Sequence, residues 1–239
     1  MTATTDELPV VFVHGIRLSG AMWTEQLDLL WPGRPALAPD LPGHGRRRGE
    51  RFTLDGAAGA VVEAADRLGG RALLVGVSLG GFVALAAAGR HPERFAGVLA
   101  AGCTSRPDAA LRLPFRLGHR AMSALADGGE ALGARILRRV LPPQVAGPAV
   151  AAGLATEVVP DVLAAARDLD PLGDLARYPG PVWLVNGRHD HFRRHERQFT
   201  AANPRATLVL VPGAGHYLPM THGLRFARLV ADFGRLARS

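Results

Sequence analysis

The chain has 239 residues, 48% of them hydrophobic and 21% charged, which fits a folded globular chain and excludes a disordered one. That length suits a single α/β domain able to bury a full sheet between two helix layers. The formal charge is +7, but all 28 basic residues are Arg, they are scattered, and aromatics make up only 6%, so a clustered nucleic-acid-binding face is not expected.

Met1 to Leu8 carry no basic n-region and no apolar h-region, so no secretory signal is expected. Val10-Val11-Phe12-Val13 reads as a short buried strand running into His14-Gly15-Ile16. A helix is expected over about 20–31, with Met22, Trp23, Leu27, Leu30 and Trp31 as its apolar stripe. The strand 36–39 comes next, then the turn Asp40-Leu41-Pro42-Gly43-His44-Gly45. His14 and His44 are read as braces for these turns, and Arg46-Arg47-Arg48 as a solvated loop. A helix over about 54–68 buries Ala58, Val61, Val62, Ala65 and Leu68.

The most informative segment lies beyond that helix. The strand 72–77 enters Gly76-Val77-Ser78-Leu79-Gly80, a G-x-S-x-G pattern leading into a helix over 79–90. A Ser at such a sharp strand-to-helix turn holds its hydroxyl clear of the sheet. Glycine suits positions 76 and 80, where neighbouring backbone passes too close for a side chain. His91 ends the helix, where a cation suits the dipole. After the strand 95–101 comes Cys103, the only cysteine. It excludes an intramolecular disulfide, suits a reducing cytoplasm, and reads as core packing.

Residues 105–171 read as an inserted helical segment: Arg106 to Leu125, Glu130 to Leu141 (broken by Pro142-Pro143), Val145 to Ala155 and Val158 to Arg167. The strand 182–185 then leads into Asn186-Gly187-Arg188-His189-Asp190, and a helix is expected over about 193–202. The strand 206–211 leads into Pro212-Gly213-Ala214-Gly215-His216, and a last helix spans about 222–236. Alternating strands and helices predict a six-stranded, mainly parallel sheet in a three-layer α/β/α sandwich. No apolar run is long enough to span a membrane.

A nucleophilic Ser needs a base, a group that orients the base, and donors for an oxyanion. Ser78, Asp190 and His216 all fall just past strand ends, where open parallel sheets collect their chemistry. The N–H groups of Ile16 and Leu79 can be aimed at one point. Asp168, Asp170 and Asp174 are competing acids but lie at the end of the inserted segment, and Asp108 is a weaker competitor. His189, His191 and His195 raise the question of Zn²⁺. The strand–Gly–x–x–Asp pattern accounts for the same segment without a metal, so neither a metal nor an organic cofactor is expected.

These pieces together resemble the α/β-hydrolase fold of the serine-hydrolase type. The matching residues are His14-Gly15, Asp40 to Gly45, the turn around Ser78, Gly187 to Asp190 and Gly213 to His216, and they cover roughly residues 9–104 and 172–235. The resemblance implies Ser78 as nucleophile, His216 as general base, Asp190 as its orienter, and Ile16 and Leu79 as oxyanion donors. It implies a core of 1–104 and 172–239, with 105–171 as a cap. The extra N-terminal hairpin of larger members is not expected, since about eight residues precede the first strand. The core is therefore similar to small esterases and hydroxynitrile lyases.

The expected activity is hydrolysis of a small, largely apolar ester, lactone or thioester through an acyl-enzyme. C–C bond hydrolysis, cyanohydrin cleavage, or a hydrolase-like receptor for a small ligand remain open alternatives. The expected state is a cytoplasmic monomer or homodimer whose only partner is its small-molecule substrate. Leu113, Phe115, Leu117, Met122, Leu125, Ile136, Leu137 and Leu154 are expected to roof the pocket.

Overall fold

Six short runs rich in Val, Leu and Ala form the strands: β1 Val10–Val13, β2 Ala36–Leu37, β3 Ala72–Val77, β4 Phe95–Ala101, β5 Val182–Gly187 and β6 Ala206–Val211. The structure is a computed structural model and describes residues 7–30 and 34–238. The strand order is β2-β1-β3-β4-β5-β6, and every neighbouring pair is parallel. β1, β3 and β4 are buried along their whole length. Such strands are covered on both faces, so they read as unbroken apolar runs rather than alternating ones. The chain starts at β1, steps outward to β2, then returns past β1 to β3. That reversal opens a crevice beyond the carboxyl ends of β1 and β3.

The helices are α1 Thr24–Leu30, α2 Leu54–Arg67, α3 Leu79–Arg90, α4 Ala109–Ser123, α5 Glu130–Val140, α6 Pro143–Ala151, α7 Val159–Ala165, α8 Pro171–Arg177, α9 Glu196–Ala201, α10 Leu218–Thr221 and α11 Gly223–Leu236. One side of the sheet packs Leu74, Val98 and Leu184 against Val61 of α2, Val83 of α3 and Leu175 of α8. The other packs Phe12, Leu73 and Leu99 against Trp23, Phe226 and Phe233. Trp23 stacks on Phe12 with centroids 4.8 Å apart and reaches Phe226 at 5.9 Å.

Boundaries moved where local chemistry intervened. The helix expected over 20–31 opens instead as a 3₁₀ turn, Gly20–Trp23, capped by Ser19; Trp31 lies outside the described residues. β2 stops at Leu37, two residues before Pro39, which has no N–H to give a ladder. The helix expected from 193 begins at Glu196, because the His195 N–H is held by the Thr104 carbonyl at 2.8 Å. Two helices were not anticipated. Asp170 caps α8 through the Gly173 N–H, with Pro171 in the first turn, and α10 is a single turn after His216.

The inserted segment forms α4 to α7. Leu137, Val145 and Ala149 of α5 and α6 join the cluster around Phe12, while Val158 and Val162 of the α7 region join the cluster on the opposite side. In contrast, α4 buries none of its residues, and Leu113, Leu117 and Leu125 face solvent. These three therefore do not roof the pocket as expected. The Arg46-Arg47-Arg48 run is solvated as expected, with Arg46 and Arg48 exposed, but it also carries ion pairs. Arg46 pairs with Asp40 at 3.1 Å and Arg47 with Glu50 at 2.6 Å. Arg48 reaches Glu157 at 2.7 Å and Glu130 at 3.4 Å, tying this loop to the inserted helices.

His14 is fully buried: its Nδ1–H donates to the Gly15 carbonyl (2.9 Å) and its Nε2 accepts the Leu41 N–H (2.9 Å). His44 Nδ1 meets the Pro42 carbonyl at 3.0 Å, and the two rings sit 4.9 Å apart. Burial, then the neighbouring His44, lowers the His14 pKa to about 3; burial also lowers that of His44. The unfolded chain protonates both near pH 6.5, while in the folded chain His14 stays neutral and His44 is harder to protonate, so this stability is full above that pH and is lost as pH falls. We expect stability to fall by about 1–2 kcal/mol between pH 6 and 5, above the range where carboxylates titrate. Urea unfolding across that window checks this; an unchanged stability would contradict neutral, buried histidines.

Candidate active site

Ser78 closes β3 and precedes α3 with φ 57° and ψ −120°. Left-handed backbone at a non-glycine residue is strained and persists only where its surroundings hold it. Here the Ser78 N–H is held by the Ala101 carbonyl at 2.8 Å, and the Ser78 carbonyl accepts from Gly81 and Phe82 at 3.0 and 3.2 Å. The flanking glycines permit the turn. A Cβ on Gly76 would overlap the Gly80 carbonyl, and one on Gly80 would overlap the Val13 carbonyl. The turn is thus wedged between β1 and its own helix.

His216 and Asp190 arrive on two loops laced together beyond β5 and β6. Arg188 N–H donates to Val211 and His189 N–H to Ala214, both at 2.9 Å, and Asp190 N–H donates to Gly187 at 3.0 Å. His216 Nδ1 lies 3.0 Å from Asp190 Oδ2 and 3.2 Å from Oδ1. The Phe192 N–H donates to Asp190 Oδ1 at 2.7 Å. Burial works to raise the Asp190 pKa, but the His216 contact and the Phe192 N–H outweigh it and hold the carboxyl below its usual value. The acid loop is braced from behind by Asn186, whose amide donates to Thr104 Oγ1 (2.7 Å) and Glu196 Oε1 (2.8 Å).

Ser78 and His216 line one cavity of about 260 Å³, with Ile16, Phe115 and Phe192 among its walls. Asp190 sits behind His216, its side chain 1% exposed. Ile16 and Leu79 both border a smaller, adjoining apolar space of about 70 Å³ together with Ser78. Among the hydrogen bonds of the described residues, neither the Ile16 N–H nor the Leu79 N–H has an acceptor. A third opening of about 490 Å³ shares Arg17, Phe115, His191 and Phe192 with the first and runs along α4. Phe115, Met122, Ile136, Leu137 and Leu154 of the inserted segment border these spaces.

The remaining candidates have other surroundings. Asp108 caps α4 through the Leu111 N–H at 2.8 Å, and Asp174 pairs with Arg177 at 2.5 Å. His195 Nδ1 accepts the Arg106 N–H at 3.1 Å. His191 packs its ring against Phe192 (4.0 Å) and His216 (5.3 Å). Among the described residues, no three His, Cys, Asp or Glu side chains gather as a metal site. Cys103 is fully buried against Gly81, and burial, with Asp190 nearby, pushes its thiol pKa up. That makes it a poor nucleophile.

Sequence reasoning gave four residues of the site no place in it. Gly102 has φ +60°, and a Cβ there would lie 2.9 Å from Asp190 Oδ2 and 3.0 Å from His216 Nδ1. Phe192 covers the His216 ring at 4.5 Å and stacks on Phe115 at 5.9 Å. It stood out only as an apolar residue in a charged stretch. His191 drew notice only as one of three histidines that raised the question of a metal, and Arg17 carried no signal; Arg17 also has a positive φ, 68°.

Known proteins resemble this chain in sequence and fold. The alpha/beta hydrolase family model matches residues 10–229. The pimeloyl-[acyl-carrier protein] methyl ester esterase of Methylococcus capsulatus is 32% identical over 250 residues, spanning 94% of this chain and 93% of that one. Its counterpart in Neisseria meningitidis serogroup C is 28% identical, spanning 94% and 92%. A thermophilic esterase from Thermogutta terrifontis superposes with a TM-score of 0.79 at 25% identity, covering 97% of this chain and 91% of that one. No helix among the described residues is long and apolar enough to cross a membrane. The chain belongs to the alpha/beta hydrolase family and is an α/β-fold hydrolase of the carboxylesterase kind.

Proposed function

We propose that the protein hydrolyses a carboxylic ester with a short acyl chain by way of an acyl-enzyme on Ser78. The observation that carries this is the strained Ser78 turn facing the same cavity as His216, with Asp190 bound behind the imidazole. Asp190 on Nδ1 leaves Nε2 for Ser78. His216 then takes the Ser78 proton as Oγ attacks the carbonyl. The unengaged Ile16 and Leu79 N–H groups stabilise the oxyanion. His216 returns the proton to the departing alcohol, then activates water against the acyl-enzyme. The core is 1–104 and 172–239, and 105–171 forms a cap whose Phe115, Leu137 and Leu154 limit the acyl chain. Lactones and thioesters suit the same machinery.

A series of straight-chain p-nitrophenyl esters tests this. Each further buried methylene gains about 0.8 kcal/mol, so kcat/KM should climb several-fold per carbon until the cavity is full, then drop. Leu137→Ala and Leu154→Ala should move that optimum toward longer chains. Equal proportional losses on short and long esters would remove the cap from specificity.

A second reading is favoured by the outer face of the cap. Arg116, Arg120, Arg135, Arg138 and Arg139 of α4 and α5 are exposed, and the relatives above act on an ester carried by an acyl-carrier protein. In this reading the ester arrives on an acidic carrier. A preference for the carrier-bound methyl ester over the free one, weakening as salt rises, would support it.

A further inference from the structure

Arg17 stands in the loop after β1, one residue past Ile16, and borders both the cavity containing Ser78 and the larger opening along α4. Three features set it apart. Its backbone is left-handed, at φ 68°, a conformation that is held in place: its carbonyl accepts the Ala155 N–H of the inserted segment at 3.0 Å. Its Nε and Nη2 are buried and have no hydrogen-bond partner among the described residues. And Gly133 of α5 makes room for the guanidinium, since a Cβ there would overlap Nη2.

Buried donors on a cation are rarely left unmade, because each carries its full desolvation penalty. Tyr217 and Glu130 act on Arg17 through space, but no hydrogen bond joins Tyr217 to Arg17 among the described residues, and the Glu130 oxygens accept the Leu154 N–H at 2.8 Å and face Arg48 at 3.4 Å. The two unpaired nitrogens, Nε and Nη2, form one edge of the guanidinium; this edge lies against Gly133, and a turn of the flexible side chain into the cavity it borders presents it to both oxygens of a carboxylate or phosphate side by side.

We propose that Arg17 is a specificity residue that binds an anionic group of the substrate, a carboxylate or a phosphate, remote from the scissile ester. This deepens the ester-hydrolase reading and rests on it. The preferred substrate is then an ester whose acyl chain is apolar along the cavity and anionic where it reaches Arg17.

The experiment compares methyl esters of straight-chain acids with matched esters carrying a terminal carboxylate (monomethyl dicarboxylates) or a terminal phosphate. The wild type should favour one anionic series by roughly ten- to hundredfold in kcat/KM, mostly through KM, as for a charge-assisted pair. The favoured series distinguishes carboxylate from phosphate. Arg17→Gln should bring the anionic-to-neutral ratio close to one. Arg17→Lys should restore part of it, which a purely structural role would not do. Ser78-dependent turnover of neutral esters with no preference for either anion, or a preference that survives Arg17→Gln, overturns the proposal and leaves the ester-hydrolase reading standing. If no ester of any series is turned over, that reading fails instead. Calorimetry with adipate and inorganic phosphate then still decides on Arg17: binding abolished by Arg17→Gln supports it, and no binding overturns it.

Discussion

Ser78→Ala and His216→Ala are each expected to lower kcat on a p-nitrophenyl ester by roughly 10⁴–10⁶, and the double variant should be little worse than either alone. In the proposed mechanism the two side chains act as one unit: Ser78 without a base keeps its proton, and His216 without the hydroxyl has nothing to activate in the first step. The residual rate in all three should be similar, because the Ile16 and Leu79 N–H groups and the cavity are untouched. Asp190→Asn should cost less than either single change, since it leaves Ser78 and the imidazole in place while removing the charge that offsets the imidazolium. Single-turnover kinetics of the four variants settle the matter. Losses that multiply in the double variant would mean that Ser78 and His216 act independently.

Gly102→Ala is expected to lower kcat by about 10²-fold or more, although the substituted residue touches no substrate. A Cβ at 102 would lie 2.9 Å from Asp190 Oδ2 and 3.0 Å from His216 Nδ1, closer than side-chain carbons approach such atoms. The Asp190–His216 pair must therefore shift, and a displacement of even an ångström at the proposed base costs on that order. The φ of +60° adds backbone strain for any L side chain. KM should change less than kcat, and the thermal transition should stay cooperative with a lower midpoint. A variant that folds and keeps full kcat would show that the position of the His216 ring is not held in the way the structure implies.

Much of this was legible in the sequence, for a physical reason. Buried parallel strands must be apolar along their whole length, so β1, β3, β4 and β5 announce themselves as runs of Val, Leu and Ala. Each run leads into a loop at one end of the sheet, so Ser78, Asp190 and His216 could be placed together from their order alone. The steric need for glycine at 76 and 80 was readable too, because the sharp turn leaves no alternative. The turn-bracing roles of His14 and His44 could be read from the Gly and Pro around them.

The illegible part depends on tertiary approach rather than local pattern. Gly102 looks like any glycine after a strand; only the arrival of two distant loops makes it tight. Phe192 is one apolar residue among His and Arg, and its cover over His216 exists only because Asp190 takes its N–H. The outward faces of Leu113, Leu117 and Leu125 could not be read from an apolar inventory, since helical spacing does not say which face meets a core. Arg48 sat in a run that resembled a solvated loop, and its partners Glu130 and Glu157 lie about a hundred residues away in the chain. Arg17 is one arginine among 28 basic residues, and only its unpaired nitrogens beside the Ser78 cavity distinguish it.

The most direct test of the central claim is covalent. A fluorophosphonate probe mimics the acyl carbonyl and is trapped by an activated serine next to oxyanion donors. Intact-mass analysis of the folded protein should show a single adduct, peptide mapping should place it on Ser78, and His216→Ala should slow its formation by orders of magnitude. No adduct on folded protein, or an adduct on another residue while ester hydrolysis persists, would contradict Ser78 as the nucleophile.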